Sequence, residues 1–377
     1  MNKIITVFGG DLNINSSNYN IDSQIIKIFK NSNFSLINLE GPIIQKPLKH
    51  YKTPKAGSYL NQTSDIFKYL TLLNIKYVGG ANNHVIDYGK TGISNTEKLL
   101  KINNINYNGF GSDLHQASKL IEFGNTKIGY ISVCEEEFGI AEKGKSGTYS
   151  MYENNLLDQI KSLADKKYTV IIFAHGGIEK VPFTSKYIKE RYQTFIDCGA
   201  KLVIGHHPHV IQPFEKYNNG YIFYSLGNFL FEITQNYMGM LLKIDWIDNK
   251  INKLEPIIIE ANGKNVKISH DNNILKVLKN TNIIQSNKTI YDLYHQIQSI
   301  YLYKDHYEKY LTGLFCNNDK KRKLKDRLLL LHLLRNKSHK EFIEEALKII
   351  CKETPNQINK GYRNKYIKII RQILYEQ

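Results

Sequence analysis

Proline is scarce in this sequence, with 8 among 377 residues, and cysteine is scarcer, with 4. So little proline excludes a collagen-like or proline-rich chain. Cys134, Cys198, Cys316 and Cys351 stand far apart with no C-x-x-C pair. Neither a disulfide scaffold nor a thiolate zinc site is therefore indicated, and a reducing compartment fits. No apolar run approaches the roughly eighteen residues that a membrane-spanning helix needs. The N-terminal run from Ile4 is short and broken by Gly9, Gly10 and Asp11, unlike the apolar segment of a secretory signal. The expectation is a soluble cytoplasmic protein, free or peripheral to a membrane.

Hydrophobic residues make up 42% and aromatic residues 11% of the chain, enough to exclude wholesale disorder. The length suggests one sizeable domain and a smaller companion. Lysine and arginine total 51 against 35 acidic residues, a net charge of +16. From Asp271 to the C-terminus there are 21 basic and 11 acidic residues, so ten of those sixteen charges fall in the last 107 positions. Such a region can meet a polyanion or an anionic membrane surface, or simply present a solvated lysine face.

Up to about Glu260, short apolar runs alternate with amphipathic stretches. Ile4–Phe8, Phe34–Leu39, Tyr77–Val78, Lys127–Val133, Thr169–Ala174 and Lys201–Ile204 read as buried strands. Ser23–Lys30, Thr91–Asn103, Asn155–Ala164 and Thr184–Asp197 read as helices between them, the pattern of an α/β layer protein. Met240–Ile247 and Lys253–Glu260 read as a hairpin turning at Asp248 and Asn249. After Gly263 the strand signal disappears. Asn272–Lys279, Thr289–Tyr310, Lys321–Leu334, His339–Cys351 and Asn364–Tyr375 carry helical periodicity. The expected division is an α/β domain over residues 1–262 and a helical C-terminal region over 263–377.

Polar residues gather at the C-terminal ends of the expected strands, where open α/β sheets bind ligands. The five ends are Gly9-Gly10-Asp11, Asn38-Leu39-Glu40, Asn82-Asn83-His84 followed by Asp87, His175-Gly176-Gly177, and His206-His207-Pro208-His209. Asn38 and Glu40 share a face because strand side chains repeat every two residues. Asp11, Glu40, His84 and His175 each have an ordinary alternative as a turn, a cap or a satisfied core residue. Three imidazoles within four positions after Leu202-Val203-Ile204 are harder to explain by packing, since no carboxylate adjoins them in sequence. A metal explains them better, with two of His206, His207 and His209 as ligands and the third behind. Together with Asp11, Glu40, Asn83 and His175 they form an oxygen and nitrogen set suited to Mn, Fe or Zn.

These blocks, with Gly199–Val210 and Tyr224-Ser225-Leu226-Gly227-Asn228-Phe229, resemble the calcineurin-like metallophosphoesterases and, within them, the bacterial CapA family of capsule and poly-γ-glutamate synthesis. The resemblance covers roughly residues 1–260. It implies a four-layer α/β/β/α sandwich around a centre of one or two divalent ions. In it Asp11 opens the ligand series, Glu40 stands in the bridging position, Asn83 and His84 match the Asn-His pair, and His175 matches the lone strand-end histidine. His207 and His209 match the closing His-x-His, with His206 an alternative. Two departures are visible: Asp11 is followed by Leu12-Asn13 rather than by Asp-x-His spacing, and glutamate replaces the bridging aspartate.

The implied chemistry is hydrolysis of a phosphate ester in capsule or polyglutamate synthesis. His84 would be the general acid, held by Asp87, and Arg191 or Lys180 would steady phosphoryl oxygens. The rival reading is a non-hydrolytic assembly factor that binds an anionic polymer, a capsule-synthesis enzyme or a membrane surface through the basic C-terminal region. Nucleic-acid binding is disfavoured, because the Tyr291–Tyr310 aromatics repeat at helical spacing and suit a core better. Cys198, at a helix end, suits packing better than nucleophilic catalysis.

Overall fold

The computed structural model describes residues 3–15, 18–45, 51–311 and 320–352. In chain order the elements are β1 (Lys3–Asn13), β2 (Asn20–Ile21), α1 (Ser23–Lys30), β3 (Phe34–Leu39), α2 (Ile66–Leu72), β4 (Tyr77–Gly79), α3 (Gly89–Ile102) and β5 (Asn106–Asn108). Next come β6 (Phe110–Gly111), α4 (Leu114–Ala117), β7 (Ile121–Glu122), β8 (Ile128–Cys134), β9 (Gly147–Thr148), α5 (Leu156–Asp165), β10 (Thr169–His175), α6 (Lys186–Asp197) and β11 (Leu202–His206). Then follow β12 (Phe214–Tyr217), β13 (Gly220–Phe223), β14 (Asn228–Phe231), β15 (Asn236–Ile247), β16 (Lys250–Asn262) and β17 (Asn265–Ile268). The described helices that close the chain are α7 (Asn272–Ser286), α8 (Lys288–Leu302), α9 (Lys320–Arg335) and α10 (Lys337–Ile350). The expected helix at Asn364–Tyr375 lies outside the described residues.

The architecture is mixed α/β with several sheets and a helical C-terminal region. A nine-stranded sheet runs β2-β17-β16-β15-β1-β3-β4-β5, with β14 added beside the end of β1, and a six-stranded sheet runs β12-β13-β11-β10-β8-β7. Alternation along the strands explains how the sheets bury both faces. Phe8 and Leu36 point from the larger sheet into one apolar cluster with Phe173 and Ile204 of the smaller. Their neighbours Val7 and Ile37 point the other way, against Ile25 and Phe29 of α1 and Ile66 and Leu70 of α2. On the smaller sheet Ile172 and Val203 pack with Ile160 of α5 and with Ile188 and Tyr192 of α6.

Local chemistry sets the element ends. The Asp22 carboxylate accepts from Gln24 N at 2.7 Å and caps α1. Asp248 and Asn249 both adopt positive φ, 48° and 62°, which suits the two-residue turn between β15 and β16. Two of the sequence expectations need correction. The sheet does not stop before Gly263, because Asn265–Ile268 forms β17 between β16 and β2. The periodicity over Thr289–Tyr310 is also not one regular helix, since α8 passes into a π-helical turn at Tyr303–Tyr307.

The C-terminal helices sit against the strand-end side of the α/β portion. Ile178 and Val181 pack with Leu302, Tyr307, Leu333 and Phe342, and Phe183 packs with Ile284 and Tyr294. The Glu341 carboxylate of α10 accepts from Lys186 N at 3.0 Å and Tyr187 N at 2.9 Å at the start of α6. A carboxylate there meets unpaired N–H groups and the positive end of the helix dipole.

Candidate metal centre

Parallel pairing of β1 with β3 and of β10 with β11 aligns the ends of these strands, with Asp11 opposite Asn38 and His175 opposite His206. At the end of β1, Gly10 is required by close approach, since a Cβ there would lie 1.9 Å from the Gly227 carbonyl oxygen. That approach lets Asp11 N donate to Gly227 O at 2.9 Å and holds the Asp11 side chain inside. Past β11 the chain twists sharply. His207 and His209 take positive φ, 96° and 56°, a left-handed backbone that is costly for residues with a Cβ and is concentrated at functional sites.

The result is one contiguous polar cluster. Ligand atoms of Asp11, Glu40 and His209 all lie within 4.8 Å of one another. His209 Nδ1 is 3.2 Å from Asp11 Oδ2 and 2.8 Å from Asn228 Oδ1, and its Nε2 is 3.5 Å from Glu40 Oε1. His206 Nδ1 is 3.2 Å from Asp11 Oδ1, off the line of a hydrogen bond, with its ring against Phe173. A second group adjoins the first through Asn38, whose Nδ2 donates to Asp11 Oδ1 at 2.7 Å and lies 3.2 Å from His175 Nδ1. His175 Nε2 in turn lies 3.1 Å from Asn83 Oδ1 and 3.2 Å from His207 Nδ1. His84 stands beside the first group, with Nε2 4.0 Å from Glu40 Oε1. Its Nδ1 is 2.8 Å from Asp87 Oδ2 and 3.0 Å from Lys55 Nζ, and Lys55 and Asp87 form a buried ion pair.

Electrostatics make this cluster short of positive charge. Burial raises the pKa of Glu40 well above the usual carboxylate range, with His209 opposing and Asp11 adding to the rise. Burial acts on Asp11 too, but His206 and His209 outweigh it and hold its pKa well down. For His209, burial is overcome by Glu40 and Asp11, and its pKa rises to about 10. Burial, reinforced by His207, pushes His175 well down. Asp11 and Glu40 thus compete for His209 in a site shielded from water, and Asp11 alone has a second imidazole, His206, beside it. Both Glu40 oxygens are buried and accept no hydrogen bond from any described residue. Buried carboxylate oxygens are ordinarily satisfied, so these orphans, facing Asp11 and His209, fit a divalent cation. Mixed carboxylate and imidazole donors suit Mn, Fe or Zn.

Of the residues singled out in the sequence, Asp11, Glu40, Asn83, His84, Asp87, His175, His206, His207 and His209 converge here, and Lys180 lines the cavities beside them. Arg191 does not join them. It lies on α6, where Nε donates to Met151 O at 2.8 Å and the guanidinium covers Tyr152 and Phe195. A side chain so engaged is structural, and the helix periodicity around it was the available warning. Asn13 is turned to the main chain, with Nδ2 donating to Glu40 O at 2.7 Å.

Sequence reasoning missed a third layer. Glu137, in the loop after β8, accepts from Asn83 Nδ2 at 3.0 Å and lies 3.8 Å from His207 Nε2. Its other neighbours come from the C-terminal helices: Asn336 Nδ2 donates to it at 3.2 Å and His332 Nδ1 is 3.6 Å away. Burial opposes its ionisation, but His332, His207 and His339 hold its pKa down at about 2. Glu135 accepts from Ser338 N at 2.8 Å, Ser338 Oγ at 2.9 Å and Gly177 N at 2.9 Å, and burial pushes its pKa up to about 7. The sequence signal for this layer was the run Glu135-Glu136-Glu137 after a strand and histidines in a later helical stretch, with no spacing rule to join them.

The family model for the bacterial capsule synthesis protein PGA_cap matches residues 10–233. The capsule biosynthesis protein CapA of Bacillus anthracis is 30% identical over 211 residues, covering 54% of this chain and 51% of that protein. The PGA biosynthesis protein CapA of Bacillus subtilis is 29% identical over 211 residues, covering 54% and 55%. The chain thus spans about half the length of these relatives. No described helix is long and apolar enough to cross a membrane.

Proposed function

Because the chain belongs to the PGA_cap family of bacterial capsule synthesis proteins, we propose that it is a metal-dependent phosphoester hydrolase acting in capsule or polyglutamate synthesis. The observation that carries this reading is the pair of orphaned Glu40 oxygens, buried within ligand distance of Asp11 and His209. We read the two sheets and their helices as a four-layer α/β/β/α sandwich, and the helices after β17 as a region of their own.

Asp11, Glu40 and His209 would hold a first ion, with His206 behind Asp11. Asn83, His175 and His207 are the neighbouring donor set. A divalent ion here supplies Lewis-acid polarisation of a phosphoryl oxygen. The remaining work falls to side chains. His84 would donate from Nε2 to the leaving oxygen, its Nδ1 accepting from Lys55 Nζ and Asp87 holding that lysine through their ion pair. Burial and Lys55 lower its pKa, so it would act as a neutral N–H donor. Lys180, beside both His207 and His209, would offset phosphate charge at the mouth. Arg191 has no part in this scheme.

Metal content of the isolated protein, and turnover of mono- and diesters with Mn²⁺, compared with His175→Ala and Glu40→Gln, test the proposal. We expect bound metal in the wild type, its loss in Glu40→Gln, and a fall in turnover of about a hundredfold or more in both variants. Equal residual turnover in all three proteins rules the mechanism out. The assembly-factor reading predicts instead retention on polyglutamate that weakens with salt and survives loss of the histidines.

A further inference from the structure

Two cavities flank the cluster, and their chemistries differ. One, of about 400 Å³, is bordered by Asn83, Glu137, His207, His332 and His339. The other, of about 500 Å³, is walled by Val210, Ile211, Tyr237, Met238, Val277 and Leu278. His209 and Lys180 also line the apolar cavity, and Lys180 lines both. His209 is the member of the Asp11, Glu40 and His209 triad that is not fully buried, with 14% of its side chain exposed, so the triad opens toward the apolar side.

The apolar cavity has the size of a small-molecule site. Its rim is unusual for a water-facing surface, since Met238 and Val277 remain 42% and 41% exposed. A contiguous apolar lining that ends at an imidazole and an ammonium matches a ligand with an apolar body and an anionic end. A purely polar sugar phosphate would leave these walls unmatched. A polymer of carboxylates would have to bury charge against them.

We propose, resting on the phosphoester-hydrolase reading, that the substrate is an amphiphilic phosphate ester. Its apolar chain lies along Ile211, Met238, Val277 and Leu278, its phosphate lies at Asp11, Glu40 and His209 beside Lys180, and any polar group enters the cavity next to His207. The phosphate is then held between two compartments, and chain length becomes the main determinant of affinity.

The test uses the full chain and calorimetric titration with inorganic phosphate and with ethyl, hexyl and octyl phosphates below their micelle concentrations. Octyltrimethylammonium serves as the control of opposite charge. Each buried methylene gives up to about a fourfold gain in affinity, so octyl phosphate should bind at least tenfold more tightly than ethyl phosphate. Met238→Gln and Val277→Thr, uncharged changes at positions 42% and 41% exposed, should remove most of that gain; octyl phosphate binding as tightly as in wild type in both variants overturns the inference. Affinity independent of chain length, or equal binding of octyltrimethylammonium, overturns the inference. Equal binding would mark the cavity as a seat for any apolar group, including a side chain of a protein partner. A protein that takes up metal and hydrolyses short esters without chain-length dependence loses this inference and keeps the hydrolase reading. Chain-length-dependent phosphate binding without metal or turnover keeps the amphiphile site and loses the hydrolase reading.

Discussion

Asn38 occupies the point between the two donor groups, touching Asp11 on one side and His175 on the other. A carboxylate there would add a negative charge shared by two cations, whereas an amide adds none, so under the proposed hydrolase reading the site would hold one ion per chain. Asn38→Asp should therefore raise the metal stoichiometry from one toward two per chain, measured by elemental analysis after dialysis; unchanged stoichiometry would show that the amide does not limit the second position. His339 sets a different residue-scale expectation. Half-buried, beside His332 and 2.7 Å from the Tyr307 hydroxyl, it has its pKa pushed by desolvation from the ordinary 6.5 down to about 3. A histidine kept neutral by the fold contributes stability that is fully present above pH 6.5 and is lost as pH falls, because the unfolded chain takes up the proton first. At pH 5 the loss from this group is about 2 kcal/mol, at roughly 1.4 kcal/mol per pH unit. Thermal midpoints should fall from pH 7 to pH 4, and less steeply in His339→Gln; parallel pH profiles would contradict this.

Helix α10 shows the element scale. Asn336 caps it, with Oδ1 accepting from His339 N at 2.9 Å, and the same side chain reaches Glu137. Ser338, two residues on, gives both its N–H and its hydroxyl to Glu135. One helix start therefore satisfies two buried carboxylates in the loop that follows β8. Removing the Asn336 cap costs about 1 kcal/mol, and withdrawing a donor from a buried carboxylate costs about 1–3 kcal/mol more. Asn336→Ala and Ser338→Ala should each lower the unfolding midpoint in denaturant and speed proteolysis within α9 and α10. Cleavage rates equal to wild type would mean that these contacts do not hold the helices down.

At the scale of the whole molecule, the helices after β17 are a wall of the site. Ile178, Val181 and Phe183, in the loop that follows His175, are covered only by residues from α7 onward among the described residues that cluster with them. A chain ending after Ser269 should retain the sheets but bind a hydrophobic dye through this loop and unfold at lower temperature. Its Glu135 and Glu137 would lose their helix-borne donors. A truncated chain as stable as the full one, with no dye binding, would show that the helical region merely decorates the surface.

Strand positions, the hairpin at Asp248 and Asn249, and the donor residues at strand ends were legible in the sequence because each depends on short-range rules. Burial alternates with period two, left-handed turns select Asn and Asp, and strand ends in a parallel sheet share one edge. The described helices after Gly263 were legible for the same reason, apart from the π-helical turn at Tyr303–Tyr307 and the brief strand Asn265–Ile268, whose partner β2 lies more than two hundred residues earlier. What periodicity could not carry was contact between distant segments. That Asn38 would sit between Asp11 and His175, that Arg191 would turn to Met151, and that Glu137 would meet His332 and Asn336 depended on how the two large sheets and the later helices pack. Local sequence determined which groups stand at the strand ends, and only the packing of layers decided which of them share a charge, because burial and pairing are properties of the assembled core.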